Sequence, residues 1–240
     1  VKGNLVLKGE ELSPLLVLRA LDEANRRGLS LGSGLIWHAS KKIEEQGKTL
    51  VRLPEAKNLF LELIYRPSDP KILRQALELG LITLFIPEFK KIRNLAQFTY
   101  YHSETVDLHS LKTLETLHLI AQGMYADRWP MFKNVCDELK NPHWLFLVGL
   151  LHDVGKGYRG EHSDRGAEIV PRILKRLGAA GKAVQVVAFL IQHHLLLANV
   201  SQRRDLNDEK TAVQVAQVVG DIETVRLLFL LTVADSLATG

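Results

Sequence analysis

An all-α fold is predicted by three observations. Apolar residues recur at three- and four-residue spacing along the chain, strand-like alternation is hard to find, and the apolar segments are bounded by helix start and stop residues. Ser13-Pro14 opens a helix through Leu18 and Leu21 that stops at Gly28, and Pro54 begins another through Leu59, Leu61 and Ile64. Asp69-Pro70 starts a third that ends at Gly80. The stretch from Ile82 to Gln97, which carries Pro87, reads as irregular and marks a boundary. Beyond it the helices lengthen: about 103 to 123, then 143 to 154 behind Asn141-Pro142, then 163 to 177 with Gly178 as the stop. Three more are expected at about 181 to 197, 207 to 219 and 221 to 238, with Asn207 and Asp221 as N-caps for the last two. Gly32-Ser33-Gly34 reads as a turn; it lacks the Gly-Lys-Ser/Thr that would make a phosphate loop.

The 240 residues are 46% hydrophobic, enough for a large buried core, so disorder is not expected. The longest apolar runs, Trp144 to Leu151 and Leu227 to Leu231, fall short of the roughly 20 residues that span a bilayer, and no membrane segment is expected. Val1-Lys2-Gly3 begins no targeting peptide, and the chain reads as a piece of something longer. Cys136 is the single cysteine, which excludes an internal disulfide and fits a reducing cytoplasm. The net charge of +4 is spread among interspersed acids and bases, so specific nucleic-acid binding is not expected.

Chemistry is signalled where polar residues interrupt the most apolar helices. Trp144 to Leu151 runs straight into His152-Asp153-Val154-Gly155-Lys156, Val186 to Ile191 runs through Gln192 into His193-His194, and Leu227 to Ala234 runs into Asp235. Taken singly, each is an ordinary core histidine or capping aspartate. A carboxylate in such apolar surroundings is costly unless a cation or several donors neutralise it, and Lys156 is the one nearby basic residue on these runs. A shared divalent metal satisfies the imidazoles and carboxylates together. Nitrogen and carboxylate ligands without thiolates suit Mn, Fe, Co, Ni or Zn, with Mg less suited. His152 and Asp153 lie about 100° apart around a helix and converge on one ion only at a helix end.

The order Val106-Asp107-Leu108-His109, His152-Asp153-Val154-Gly155-Lys156-Gly157, Glu161-His162-Ser163, His193-His194 and Thr232-Val233-Ala234-Asp235 resembles the HD phosphohydrolase superfamily. Within it the chain is most similar to the central HD region of the bifunctional PII uridylyltransferase/uridylyl-removing enzymes. Ile86-Pro87-Glu88-Phe89, Tyr101-His102, Gln202-Arg203-Arg204-Asp205 and Ala238-Thr239-Gly240 carry that further likeness. The resemblance implies an HD-domain helical bundle at 99–240 behind an N-terminal helical linker subdomain at 1–98. It implies that His109, His152, Asp153 and Asp235 hold one metal, that Asp153 bridges to a second, and that His162, His193 and His194 supply further ligands. Asp153 and Lys156 would be the catalytic pair, with Lys156 toward phosphate and Arg203 and Arg204 meeting nucleotide phosphate or a protein substrate.

The implied reaction is metal-dependent phosphodiester hydrolysis that releases UMP from uridylylated PII protein. A nucleotide or cyclic-phosphate hydrolase of the same type is the alternative, and a non-catalytic regulatory module of a larger nucleotidyltransferase is the other. The Asp-x-Asp pair of a nucleotidyltransferase does not follow Gly32-Ser33. His38, His102, His118 and His143 lack comparable context and read as surface or structural residues.

Overall fold

The computed structural model describes residues 4–5, 12–96, 104–205 and 207–239. His102 and the expected helix start at 103 lie outside them. The chain divides into two compact units, 1–90 and 91–240.

In the first unit, β1 (Asn4–Leu5) and β2 (Ser30–Leu31) make a short parallel pairing, and helices do the rest. Helix α1 (Pro14–Arg26) begins where Ser13 Oγ accepts the N–H of Leu16, satisfying one of the amides the first turn leaves open. It buries Val17, Leu18, Leu21 and Ala24 and packs on α3 (Pro54–Tyr65). Between them lies α2 (Ser33–Gln46), which overturns the turn expected at Gly32-Ser33-Gly34: Gly32 is its N-cap. Only Ala39 and Ile43 of α2 are buried, so its apolar pattern is too thin to read as a helix. A 3-10 turn, Gly47–Arg52, leads to α3. Helix α4 (Lys71–Glu78) is followed by Gly80 at φ +79, a left-handed conformation that a side chain would strain. Helix α5 (Leu81–Phe85) and a 3-10 turn, Pro87–Lys91, give order to much of the stretch expected to be irregular.

The second unit is built from α6 (Val106–Ala121), α7 (Pro130–Asp137), α8 (Pro142–Leu151), α9 (His162–Leu177), α10 (Lys182–Gln192), α11 (Leu196–Arg203), α12 (Glu209–Val219) and α13 (Ile222–Thr239). Helix α7 has no counterpart in the sequence reading, because it is short and buries only Cys136. The core forms where α8 lies against α6, α10 and α13 and where α9 pairs with α10. Every residue of α8 from Leu145 to Leu151 is buried, which explains its unbroken apolar run. Each fully buried Leu or Phe contributes about 1.5–3 kcal/mol. Gly149 permits the α6–α8 approach: a Cβ there would lie 2.5 Å from Leu117 Cδ1 and 3.5 Å from Leu114 Cα.

Two helix ends differ from expectation. The helix expected at 143–154 stops at Leu151, with a 3-10 turn at Val154–Gly157 after it. The helix expected at 181–197 is two helices separated by a turn at His193, His194 and Leu195. By length and composition the run Lys182–Arg203 is apolar enough to cross a bilayer, contrary to the sequence reading, but the turn breaks it. Asp208 rather than Asn207 caps α12, its carboxylate accepting the N–H of Lys210, and Asp221 accepts the N–H of Thr224 at the start of α13.

Candidate metal centre

Five segments deliver side chains to one buried point in the second unit. His109 stands in the first turns of α6, held one turn after Thr105 by its own backbone N–H. His152 is the C-cap of α8, and Asp153 follows with φ −101 and ψ 7, already out of helical geometry. That departure decides convergence: the two side chains no longer obey the helical turn of about 100° and both face the interior. Asp235 comes from α13, His162 from the first turn of α9, and His194 from the turn after α10.

Asp153 is the centre of this arrangement and is 1% exposed. Its Oδ2 lies 2.6 Å from Lys156 Nζ, 3.4 Å from His152 Nε2 and 3.9 Å from His109 Nε2. Its Oδ1 lies 3.9 Å from both His162 Nε2 and His194 Nε2. Asp235 Oδ1 sits 2.8 Å from His109 Nε2 and 3.6 Å from His152 Nε2. Potential ligand atoms therefore fall into two groups that share Asp153: His109, His152 and Asp153, and Asp153, His162 and His194, each within 4.8 Å.

Two histidines are oriented from behind. Nδ1 of His152 lies 3.0 Å from the Gly149 carbonyl and Nδ1 of His194 lies 2.7 Å from the Ile191 carbonyl. A carbonyl only accepts, so Nδ1 carries a proton in each and Nε2 is turned to the centre, where it could ligate an ion. Asp153 Oδ1 and His152 Nε2 are buried with no hydrogen-bond partner, which is expensive for polar atoms in an apolar interior.

The electrostatics of the cluster are set by its two buried carboxylates and the cations beside them. Burial disfavours the charge on Asp153, but His152, Lys156 and His194 outweigh it and hold the carboxyl well below its usual range. Burial likewise opposes ionisation of Asp235, and the hydrogen bond from His109 overrides it. For His152, burial lowers the pKa, yet Asp153 and Asp235 together raise it to about 9. Burial and the neighbouring His152 push His194 down to about 4, and burial lowers His162. His194 and His162 are thus neutral near pH 7, as ligands must be. The orphaned buried atoms, the carbonyl-oriented imidazoles and the nitrogen and carboxylate donors fit one or two divalent ions. His109, His152, Asp153 and Asp235 would hold one, and His162 and His194 with Asp153 the other.

The remaining expected residues lie apart. His193, expected as a ligand, packs its ring on Phe189 at 4.4 Å and is outside both groups, because adjacent residues at the end of α10 diverge. Arg203 and Arg204 are exposed at the end of α11, where Arg204 donates to Gln214, and among the described residues neither pairs with Asp153 or Asp235. Asp107 is buried and accepts the N–H of Asn94, pinning the chain before α6. His118 is buried and stacked on Phe146, and His38 lies edge-on to Trp37.

Gly155 and Gly166 contribute without any polar atom. A Cβ on Gly155 would fall 1.9 Å from the His162 carbonyl oxygen and 2.7 Å from Gly166 N, and one on Gly166 would fall 2.7 Å from Ile191 Cγ2. These contacts bring the turn after Asp153 against the start of α9 and so set His162 beside it. Gly155 stood in the quoted sequence motif, but its packing role had no signal there.

The family described as HD domain matches residues 106–239. The chain is similar to a bifunctional uridylyltransferase/uridylyl-removing enzyme from Azospirillum brasilense, with 34% identity over 228 residues, 95% of this chain and 24% of that protein. The chain thus spans about a quarter of the length of this relative.

Proposed function

Because the chain belongs to the HD-domain family and is a metal-dependent phosphohydrolase, we propose that it hydrolyses the phosphodiester of uridylylated PII protein and releases UMP. The observation that carries the reading is Asp153, a buried carboxylate whose two oxygens face two different sets of imidazoles. The name of the Azospirillum brasilense relative supplies the uridylyl-removing activity. We take residues 99–240 as the hydrolase domain and 1–98 as a helical linker. The composition and the single cysteine, which is buried and unpaired, support a cytoplasmic setting.

A divalent ion held by His109, His152, Asp153 and Asp235 would supply Lewis-acid chemistry, offsetting charge on phosphoryl oxygens and lowering the pKa of water toward neutrality. The protein's own groups do the rest. Asp153, with its two oxygens facing two sets of imidazoles, would serve in both ligand groups and tie them together. Without metal Asp235 accepts from His109 Nε2, and with an ion bound these two atoms would turn to it as neighbouring ligands. Lys156, whose side chain is 20% exposed, is the cation nearest the centre, and we assign it to a phosphoryl oxygen. Arg203 and Arg204 are assigned to the protein substrate, since they are exposed.

The test is elemental analysis of the purified protein followed by hydrolysis of uridylylated PII and of a generic aryl phosphodiester, both with Mn. Bound metal and UMP release are expected. Turnover of the aryl ester alone would make the protein a broader HD hydrolase, and no metal with no turnover would sink the enzymatic reading.

A further inference from the structure

Residues 91–96, which open the second unit, belong to neither ligand group yet touch two of the segments that carry the metal centre. At one end Gly157, the last residue of the 3-10 turn after Asp153, lies against Lys91: a Cβ on it would fall 2.6 Å from Lys91 Cβ and 3.0 Å from the Lys91 carbonyl carbon. Lys91 Nζ lies over the ring of Tyr158, 3.9 Å from its centroid. At the other end the segment holds the start of α6. The Leu95 carbonyl accepts the N–H of Val106 at 2.9 Å, Ala96 bridges to Thr105, and Asp107 Oδ1 accepts the N–H of Asn94 at 3.1 Å. Ile92 is fully buried between the two ends.

Two features single out the bond between Asn94 and Asp107. Asn94 has φ +56, the only positive φ at a non-glycine among the described residues, so the chain holds an uncommon conformation where its N–H meets the carboxylate. Asp107 is 1% exposed, and a carboxylate so buried is costly unless donors meet it. At about 100° of rotation per residue, Asp107 lies about 160° around α6 from His109. One therefore faces residues 91–96 while the other faces Asp153 and Asp235. The first turn of a helix lacks the backbone bonds that fix later turns, so partners outside the helix decide its direction. The hold on Asp107 thus sets how α6 is turned at the level of His109.

We propose that residues 91–96 are a strap that positions the metal centre, tying the start of α6 and with it His109 to the turn that carries Lys156, with Asp107 as the positioning residue. The proposal rests on the metal-centre reading above. His109 Nε2 and Lys156 Nζ face the same oxygen of Asp153, at 3.9 Å and 2.6 Å, and the strap fixes the spacing of the two segments that bring them there.

The test is Mn titration calorimetry of the metal-free chain and its variants, each checked for helicity by circular dichroism. Asp107→Ala and Asn94→Pro remove the same hydrogen bond from its two ends, so misfolding of one leaves the other. Each should weaken the Mn site that includes His109 about tenfold or more and leave the His162 and His194 site within about twofold. Asp107→Asn keeps an acceptor, and Asn94→Gly keeps both the N–H and the backbone conformation; both should stay within about threefold of wild type. Gly157→Ala pushes the turn off Lys91 and should weaken the same site. Combined with either bond-breaking variant it should add little to the larger single loss, because a strap freed at one end no longer holds from the other. Losses that multiply, equal weakening of both sites, or wild-type affinity in a folded Asp107→Ala or Asn94→Pro chain overturns the strap and leaves the metal reading intact. No Mn bound by the wild type overturns the metal reading and the strap with it.

Discussion

Lys156 reaches back three residues to place its Nζ 2.6 Å from Oδ2 of Asp153, the same oxygen that faces His152 and His109. The ammonium thus occupies the side of the carboxylate that a metal in the first group would use. Lys156→Met removes a competing cation, so Mn affinity should hold or rise by a few fold while phosphodiester turnover falls about 10–100-fold, as expected for loss of a charged contact to phosphate. Isothermal titration with Mn, run beside kcat measurements, separates the two effects; parallel loss of both would place Lys156 in the scaffold alone.

Asp153→Ala should abolish Mn binding and hydrolysis together, since the residue belongs to both ligand groups. Circular dichroism should remain helical, because the cores of α6, α8 and α13 do not depend on the carboxylate. Full activity in this variant would overturn the site.

The two adjacent histidines should behave differently. His194→Ala removes an Nε2 that faces Asp153 and should weaken metal binding about 10–100-fold, whereas His193→Ala, whose ring rests on Phe189, should leave it within about twofold. Metal titrations of the two variants check this, and equal losses would mean that His193 swings inward.

Gly155→Ala places a methyl where the His162 carbonyl now sits. The turn and the start of α9 must separate, at about 1–3 kcal/mol of stability, and His162 moves with them. Thermal unfolding should show a lower midpoint and Mn titration a weaker second site, with the first site spared.

Metal uptake should release a proton from His152. Its pKa of about 9 in the metal-free protein lies above the ordinary 6.5, so it is protonated at pH 7 and the proton must leave before Nε2 binds. Mn affinity should therefore climb as pH rises toward about 9. The stabilisation that protonated His152 gives the metal-free fold runs the other way: it is complete below 6.5 and is lost as pH rises through about 9. Titrations in buffers of different ionisation enthalpy should count about one proton at pH 7, and a count of zero would contradict the assignment.

The sequence by itself determined the helical class, because three- and four-residue apolar spacing is a local property of each helix, and it singled out His152, Asp153, His193, His194 and Asp235 by their place beside apolar runs without separating His193 from His194. The resemblance added His109 and His162, which sit in less apolar surroundings. Helices α2 and α7 escaped because each buries two residues or fewer and so carries little periodic signal. What only the tertiary structure decided is direction. The end of α8 at Leu151 turns Asp153 toward its own neighbour, and the turn after Gln192 sends His194 inward and His193 onto Phe189. Neither helix end is marked by a glycine or proline at the break. Each is set by the close packing of α8, α9 and α10, where Gly155 and Gly166 leave no room for a Cβ, and such contacts join residues that are distant along the chain.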